Sequence, residues 1–278
     1  MARAKRHYLQ GYVWHITHRC HKKEHLLKLV KDRQRWLYWL FQAKKRYGLC
    51  ILNYIVTSNH IHLLVVDDGS RDTIPRSMQL LAGRTGQEYN QRKNRKGAFW
   101  QDRYHATAVQ SDAHLVKCMA YIDLNMVRAG VVKHPQEWPH SGYHEIQQPK
   151  IRYGLIDFKR LVGLLPIESR DELKQAHHQW IEEELKKSTL VRQSKWTQSI
   201  AVGDKSFVEQ IKTRLGIRSK GRKIIEDEDN YHLRDGQTRY GERNRSIGEN
   251  SYYWDLDKKA VGPSISLKMP IFPRKWCL

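Results

Sequence analysis

No apolar stretch among the 278 residues reaches the roughly 20 consecutive positions that a membrane-spanning helix needs. A membrane partner is therefore not expected. Cysteine is scarce: Cys20, Cys50, Cys118 and Cys277 are far apart and form no C-x-x-C pair. That spacing excludes a disulfide framework and a zinc knuckle, and it fits a reducing, cytoplasmic setting. The basic start, Met1 to Arg6, is followed by no apolar h-region, so no signal peptide is expected. There is no internal repeat. Acidic residues are also short, 29 Asp and Glu against 50 Lys and Arg.

What is present is positive charge, a formal +21. This exceeds what solubility requires and favours a polyanionic partner, because cations that neutralise phosphates release counterions. The excess is uneven. Residues 1–150 hold 25 basic and 11 acidic residues, and residues 151–278 hold 25 and 18. The difference, +14 against +7, weights a nucleic-acid surface to the first half. Nine Trp and 14 Tyr accompany it, and aromatics among cations suit stacking on unpaired bases, although most will be core residues.

In the same half, Asn59-His60-Ile61-His62-Leu63-Leu64-Val65-Val66 follows the β-prone run Ile51 to Val56 across a short polar turn. The two runs predict an antiparallel hairpin. Residues i and i+2 of a strand share a face, so His60 and His62 project side by side. Two imidazoles on a stiff element can hold a divalent ion, but a single strand histidine is more often a partnered structural residue, and the pair needs further ligands. A metallohydrolase with a water nucleophile would want carboxylates near the pair. Asp67 and Asp68 are too far along the strand.

Around the hairpin the pattern is strand, helix, strand, strand, helix, strand. Tyr12 to Arg19 is β-prone, with Trp14 and Ile16 on one face and His15, Thr17 and Arg19 on the other. Helices are predicted over 31–47, closed by Gly48, and over 72–92. The aromatic block Phe99 to Arg103 leads into a further strand. This order is α+β, a ferredoxin-like antiparallel sheet with helices on its faces. A third helix is predicted over 111–129, with Ser111-Asp112 as its N-cap and Gly130 as its stop. Leu115, Met119, Ile122 and Met126 form its apolar stripe. His114, Lys117, Tyr121, Asn125 and Arg128 share another face, read as exposed. Tyr121 and Asn125 are neighbours one turn apart. A phenol, an amide and cations together suit covalent attack on a phosphodiester, while a half-buried packing tyrosine is the plain alternative.

Three blocks, Asn59 to Leu64, Phe99 to Arg103 and Tyr121 to Gly130, occur in an order that resembles the IS200-like, single-tyrosine transposases. The closer resemblance is to their REP-associated tyrosine transposase branch, within the His-hydrophobic-His single-strand nucleases. It covers about residues 8–145. The resemblance implies that His60, His62 and Asn125 hold Mg²⁺ or Mn²⁺ and that Tyr121 is the nucleophile. It implies cutting and rejoining of single-stranded or hairpin DNA through a 5′-phosphotyrosine. Arg3, Lys5, Arg6, Arg95, Lys96, Arg103, Lys117 and Arg128 are the candidate DNA contacts. Met126 stands where the family has proline, which puts a helix break near residue 125 in doubt. A monomer is expected by likeness to the branch, with a dimer as the alternative. The competing reading is a domesticated, non-catalytic binder of structured nucleic acid, which needs neither Tyr121 nor metal.

The organisation expected is a catalytic domain over 1–148, a mainly helical accessory extension over 149–225 and a polar tail over 226–278. Helices are read in the extension over 169–187 and 207–216, followed by the basic cluster Arg218 to Lys223.

Overall fold

The structure is a computed structural model and describes residues 9–67, 70–187, 190–227 and 230–235. The first part of the chain forms β1 (Val13–Arg19), α1 (Val30–Tyr47), β2 (Cys50–Val56), β3 (His60–Val66), α2 (Thr73–Arg92), β4 (His105–Val109), α3 (Ala113–Asp123), α4 (Asn125–Arg128) and α5 (Gly142–Gln147). The remainder forms α6 (Phe158–Val162), α7 (Arg170–Lys186), α8 (Lys195–Gln198), β5 (Ala201–Gly203), α9 (Lys205–Leu215), β6 (Arg222–Asp227) and β7 (Asn230–Asp235).

The strands make one sheet in the order β2-β3-β1-β4-β5-β7-β6. The first four are antiparallel neighbours, and each helical crossover steps over one strand: β1–α1–β2 over β3, and β3–α2–β4 over β1. That is the ferredoxin-like arrangement expected from the sequence. The hairpin strands are buried on both faces, which explains their nearly continuous apolar runs. In α1, Trp36, Trp39, Leu40 and Ala43 make the buried stripe, and Lys44, Lys45 and Arg46 occupy the last turn, where cations suit the helix dipole. Gly48 ends it at φ 69°, a left-handed position that glycine adopts freely, with its N–H on the Lys44 carbonyl at 2.9 Å.

The parity of β1 divides the sheet into two chemically different faces. His18 points to the side of α2, where its ring stacks on Trp100 and the Trp100 indole N–H donates to the Ala82 carbonyl at 3.1 Å. His15, Thr17 and Arg19 point to the other side. In register, Thr17 lies opposite His62 and Arg19 opposite His60, so these four side chains share one face. Beyond β1, Thr107 and His105 of β4 continue this polar strip opposite His15 and Thr17.

α3 packs on that polar face. Leu115, Met119, Ile122 and Met126 are all buried, as the apolar stripe predicted. Two local expectations fail. Asp112 makes no side-chain cap bond and has φ 60°, so the helix start is not an N-cap of the expected kind. The helix also breaks at Leu124 (φ −79°, ψ 6°), and Asn125 opens α4. The break lies two residues before Met126, in the backbone of Leu124 itself, so a residue able to continue a helix does not heal it.

The chain after residue 148 supplies helices and, beyond what the sequence suggested, three strands, of which β7 and the end of β6 fall in the stretch expected to be a polar tail. β5 pairs in parallel with β4, and β6 and β7 form a hairpin that joins β5 through β7. The basic cluster at 218–223 runs into β6 and the acidic residues that follow end it. Most of the expected tail, residues 236–278, lies outside the described residues.

Candidate active site

The break at Leu124 carries consequences for Asn125. It turns Asn125 to face the sheet, where its Nδ2 lies 3.1 Å from His62 Nε2. Asn125 also hydrogen-bonds with the His60 side chain. The rings of His60 and His62 lie 5.0 Å apart, and the Tyr121 ring lies 5.8 Å from that of His62. The structure thus brings together the four side chains singled out as metal ligands and nucleophile. The guanidinium of Arg128 lies over the Tyr121 ring, 4.0 Å from its centre, and donates to the Tyr121 carbonyl.

Tyr121 is not on an exposed face. It is only 6% exposed, because Trp196 of α8 packs against it with ring centres 6.1 Å apart. The sequence gives no warning of this, since 75 residues separate the two positions. Burial raises the phenol above its ordinary pKa, while the charges of Arg128 and Arg192 pull it back.

The histidines are held neutral. Burial pushes His60 down to about 3, with the charges of Arg19 and Arg192 acting in the same direction. Burial pushes His15 to about 3 as well, and it drives His62 well below its ordinary value, with His15 and His60 contributing. Neutral imidazole is the form that binds a metal. His60 Nδ1 lies 2.7 Å from Asn59 Oδ1 and 2.9 Å from Thr57 Oγ1. The Thr57 hydroxyl proton is already donated to the His60 carbonyl at 2.8 Å, so both oxygens accept from His60 Nδ1. That leaves His60 Nε2 as a bare lone pair.

Among the described residues, no group of three or more His, Cys, Asp or Glu side chains is arranged to hold a metal ion. The set at this site has two imidazoles and an amide, and its chemistry fits a divalent ion that accepts nitrogen and oxygen donors.

Sequence reasoning missed four residues here: His15, Arg19, Arg192 and Trp196. Strand parity had already put His15 and Arg19 on one face, and their alignment with the His60–His62 strand was the missing step. Nothing local marks Arg192 or Trp196. The candidate DNA contacts scatter. Arg128 is at the site, and exposed Lys117 is one helical turn before Tyr121. Arg103 is exposed on the turn before β4, where its backbone N–H donates to Asp102 Oδ1 at 2.7 Å. Arg95 donates to the Ala98 carbonyl at 3.1 Å and pairs with Glu24 at 3.4 Å, so it braces its own loop, while neighbouring Lys96 is exposed. Arg3, Lys5 and Arg6 lie outside the described residues. Cys20, Cys50 and Cys118 are buried and form no disulfide among the described residues. No helix among the described residues is long and apolar enough to cross a membrane.

The ferredoxin-like sheet, with its His-x-His strand facing the helix that carries Tyr121, holds the three sequence blocks from which the resemblance was read. Residues 9–125 match the family model described as "Transposase IS200 like". Similar solved structures include a REP-associated tyrosine transposase bound to a REP hairpin, at 20% identity and a TM-score of 0.45, covering 57% of this chain and 95% of that one. Another is a protein from Deinococcus radiodurans described as a "putative transposase", at 14% identity and a TM-score of 0.30, covering 47% of this chain and 98% of that one. No curated protein matches the chain.

Proposed function

We propose that the chain is a metal-dependent single-strand DNA endonuclease and strand transferase acting on hairpin DNA, with Tyr121 as nucleophile. The observation that carries this reading is the convergence of the Tyr121 ring, 5.8 Å from that of His62, with the His60 and His62 imidazoles and the Asn125 amide. His60, His62 and Asn125 would hold Mg²⁺ or Mn²⁺, which when bound polarises the scissile phosphate and stabilises the departing oxygen.

The chain's own residues do the rest. Tyr121 Oη forms a bond to phosphorus as the bond to the 3′ oxygen breaks. The phenol gives up its proton and the 3′ oxygen takes one up, leaving a 5′-phosphotyrosine and a free 3′-OH. A second 3′-OH reverses the exchange and rejoins strands without ATP, because the ester keeps the energy of the broken bond. Arg128 and Arg192 favour the deprotonated phenol and attract phosphate. Substrate must be unpaired at the cut, since a phenol packed under Trp196 reaches only an unshielded backbone. Hairpin DNA is favoured by the block pattern of the REP-associated branch, and a polyanion by the +21 charge.

We read residues 1–148 as the catalytic domain and 149–225 as its accessory cover, working as a monomer in the cytoplasm. The test is incubation of the full chain with a labelled hairpin oligonucleotide carrying single-stranded flanks, with Mn²⁺ or with EDTA. The expected result is a denaturant-resistant protein–DNA adduct that requires the metal and is absent in Tyr121→Phe. An undiminished adduct from Tyr121→Phe would overturn the reading.

A further inference from the structure

Behind His62 stands a second histidine that the transfer reaction does not use. His15 is fully buried on the neighbouring strand, its ring stacked near-parallel to that of His62 with centres 5.0 Å apart. His15 Nε2 lies 2.8 Å from His62 Nδ1, and His15 Nδ1 lies 2.9 Å from the backbone carbonyl of Trp196. The chain separation in the second contact is 181 residues.

With one proton on each ring, these contacts admit a single assignment. A carbonyl oxygen only accepts, so His15 Nδ1 carries the proton and donates to Trp196. His15 Nε2 is then a lone pair, and the proton between the rings belongs to His62 Nδ1. His62 Nε2 is therefore bare. The far end agrees: Asn125 Nδ2 only donates, and it lies 3.1 Å from that nitrogen. The donor direction runs unbroken from Asn125 through His62 and His15 to Trp196.

The Trp196 carbonyl is itself pinned. The Trp196 indole is fully buried, and its N–H donates to Gln193 Oε1 at 2.7 Å. Three residues on, the Ser199 carbonyl accepts from the Thr107 hydroxyl at 2.6 Å and from His105 Nε2 at 2.9 Å, tying the segment to β4. Parallel pairing of β5 with β4 begins directly afterwards.

We infer that His15 and the Trp196 carbonyl form a relay through which the C-terminal extension fixes the tautomer and ring orientation of His62, making His15 a positioning residue of the site. The inference rests on the reading of His62 as a metal ligand given above. It assigns to residues 193–200 a part in building the site, beyond covering it. Partners that hold a ligating imidazole by its other nitrogen are typically worth about 10–100-fold in metal affinity.

The test uses the full chain without metal, with ¹⁵N-labelled histidine and long-range ¹H–¹⁵N correlation spectra, followed by Mn²⁺ titration read by electron paramagnetic resonance. The expected spectrum shows His15 and His62 both protonated at Nδ1 and bare at Nε2. His15→Ala should lose the fixed His62 tautomer and weaken Mn²⁺ by at least about tenfold. His15→Gln can still accept from His62 and donate to Trp196, and it should stay within about threefold of wild type. A merely structural role would make the two variants alike at equal melting temperature. An Nε2-protonated His62 in the metal-free protein, or wild-type Mn²⁺ affinity in a folded His15→Ala, would overturn the relay. Absence of Mn²⁺ binding by the wild-type chain would overturn the functional reading, and the His62 tautomer would then decide the relay alone.

Discussion

His177 Nε2 donates to Asp123 Oδ2 at 2.9 Å, and both side chains are wholly buried. Asp123 is the last residue of the tyrosine helix α3, and His177 is in the middle of α7. The same carboxylate oxygen accepts from Asn53 Nδ2 of β2 at 3.0 Å, and Gln147 Nε2 donates to His177 Nδ1 at 3.0 Å. α3, β2 and α7 of the extension meet at one oxygen two residues from Tyr121, and α5 braces His177 from its other side. His177→Ala leaves that carboxylate short of a donor, and a loss of about 2–4 kcal/mol in unfolding free energy is expected by urea denaturation. A change within about 0.5 kcal/mol, the range of an ordinary surface substitution, would show that the network does not hold α3 in place.

Tyr121→Phe removes one oxygen and keeps the packing against Trp196. Adduct formation should fall by at least about a thousandfold, as expected for loss of a nucleophile. Stability should change by less than about 1 kcal/mol, because the ring volume is retained. Loss of hairpin binding along with the adduct, measured by fluorescence anisotropy, would point to a packing role for the residue.

Arg128 grips the tyrosine helix and the phenol ring together. Lysine cannot reproduce a planar cation over a ring with a simultaneous backbone contact. Arg128→Lys should cut the cleavage rate by about tenfold or more while retaining the charge. Arg128→Ala should in addition lower the slope of log K against log salt by about 1 if the residue also meets a phosphate. An unchanged slope would restrict Arg128 to holding Tyr121.

Acid should unfold the chain early. Burial holds His140 at about 4, with Arg33 and His144 adding to the effect, and holds His15 and His60 at about 3. In the unfolded chain each titrates near 6.5. Between about 6.5 and 4 the unfolded state binds more protons, so stability is complete above that window and falls as pH drops through it. Melting temperatures taken from pH 7.5 to 4.5 should decline continuously below about 6.5. A flat profile to pH 5 would mean these imidazoles are already exposed or paired with acids.

The four-strand core, its crossover order and the apolar stripe of α3 were all readable because period and turn chemistry agree with burial there. The candidate tetrad was readable too, since His60 and His62 are two apart on a strand and Tyr121 and Asn125 are four apart on a helix. What stayed hidden depends on contacts between distant parts of the chain. Strand alignment sets His15 behind His62, and no spacing within β1 reveals that. Trp196 buries Tyr121, yet the short α8 around it carries no periodic signal. β5 has only three residues, Ala201, Val202 and Gly203, too few to announce a strand without the β4 edge that completes it.

That junction also orders events during synthesis. Ala108 donates its N–H to the Ile200 carbonyl, and Gln110 to that of Val202, at 2.7 and 3.1 Å. A ribosome releases the amino-terminal part first, so β4 emerges some ninety residues ahead of the backbone that closes its outer margin. Until that backbone arrives, the growing polypeptide offers an open row of amides and carbonyls, the kind of border that recruits neighbouring chains into aggregates. Messages truncated before codon 200 should therefore yield sticky, chaperone-bound fragments.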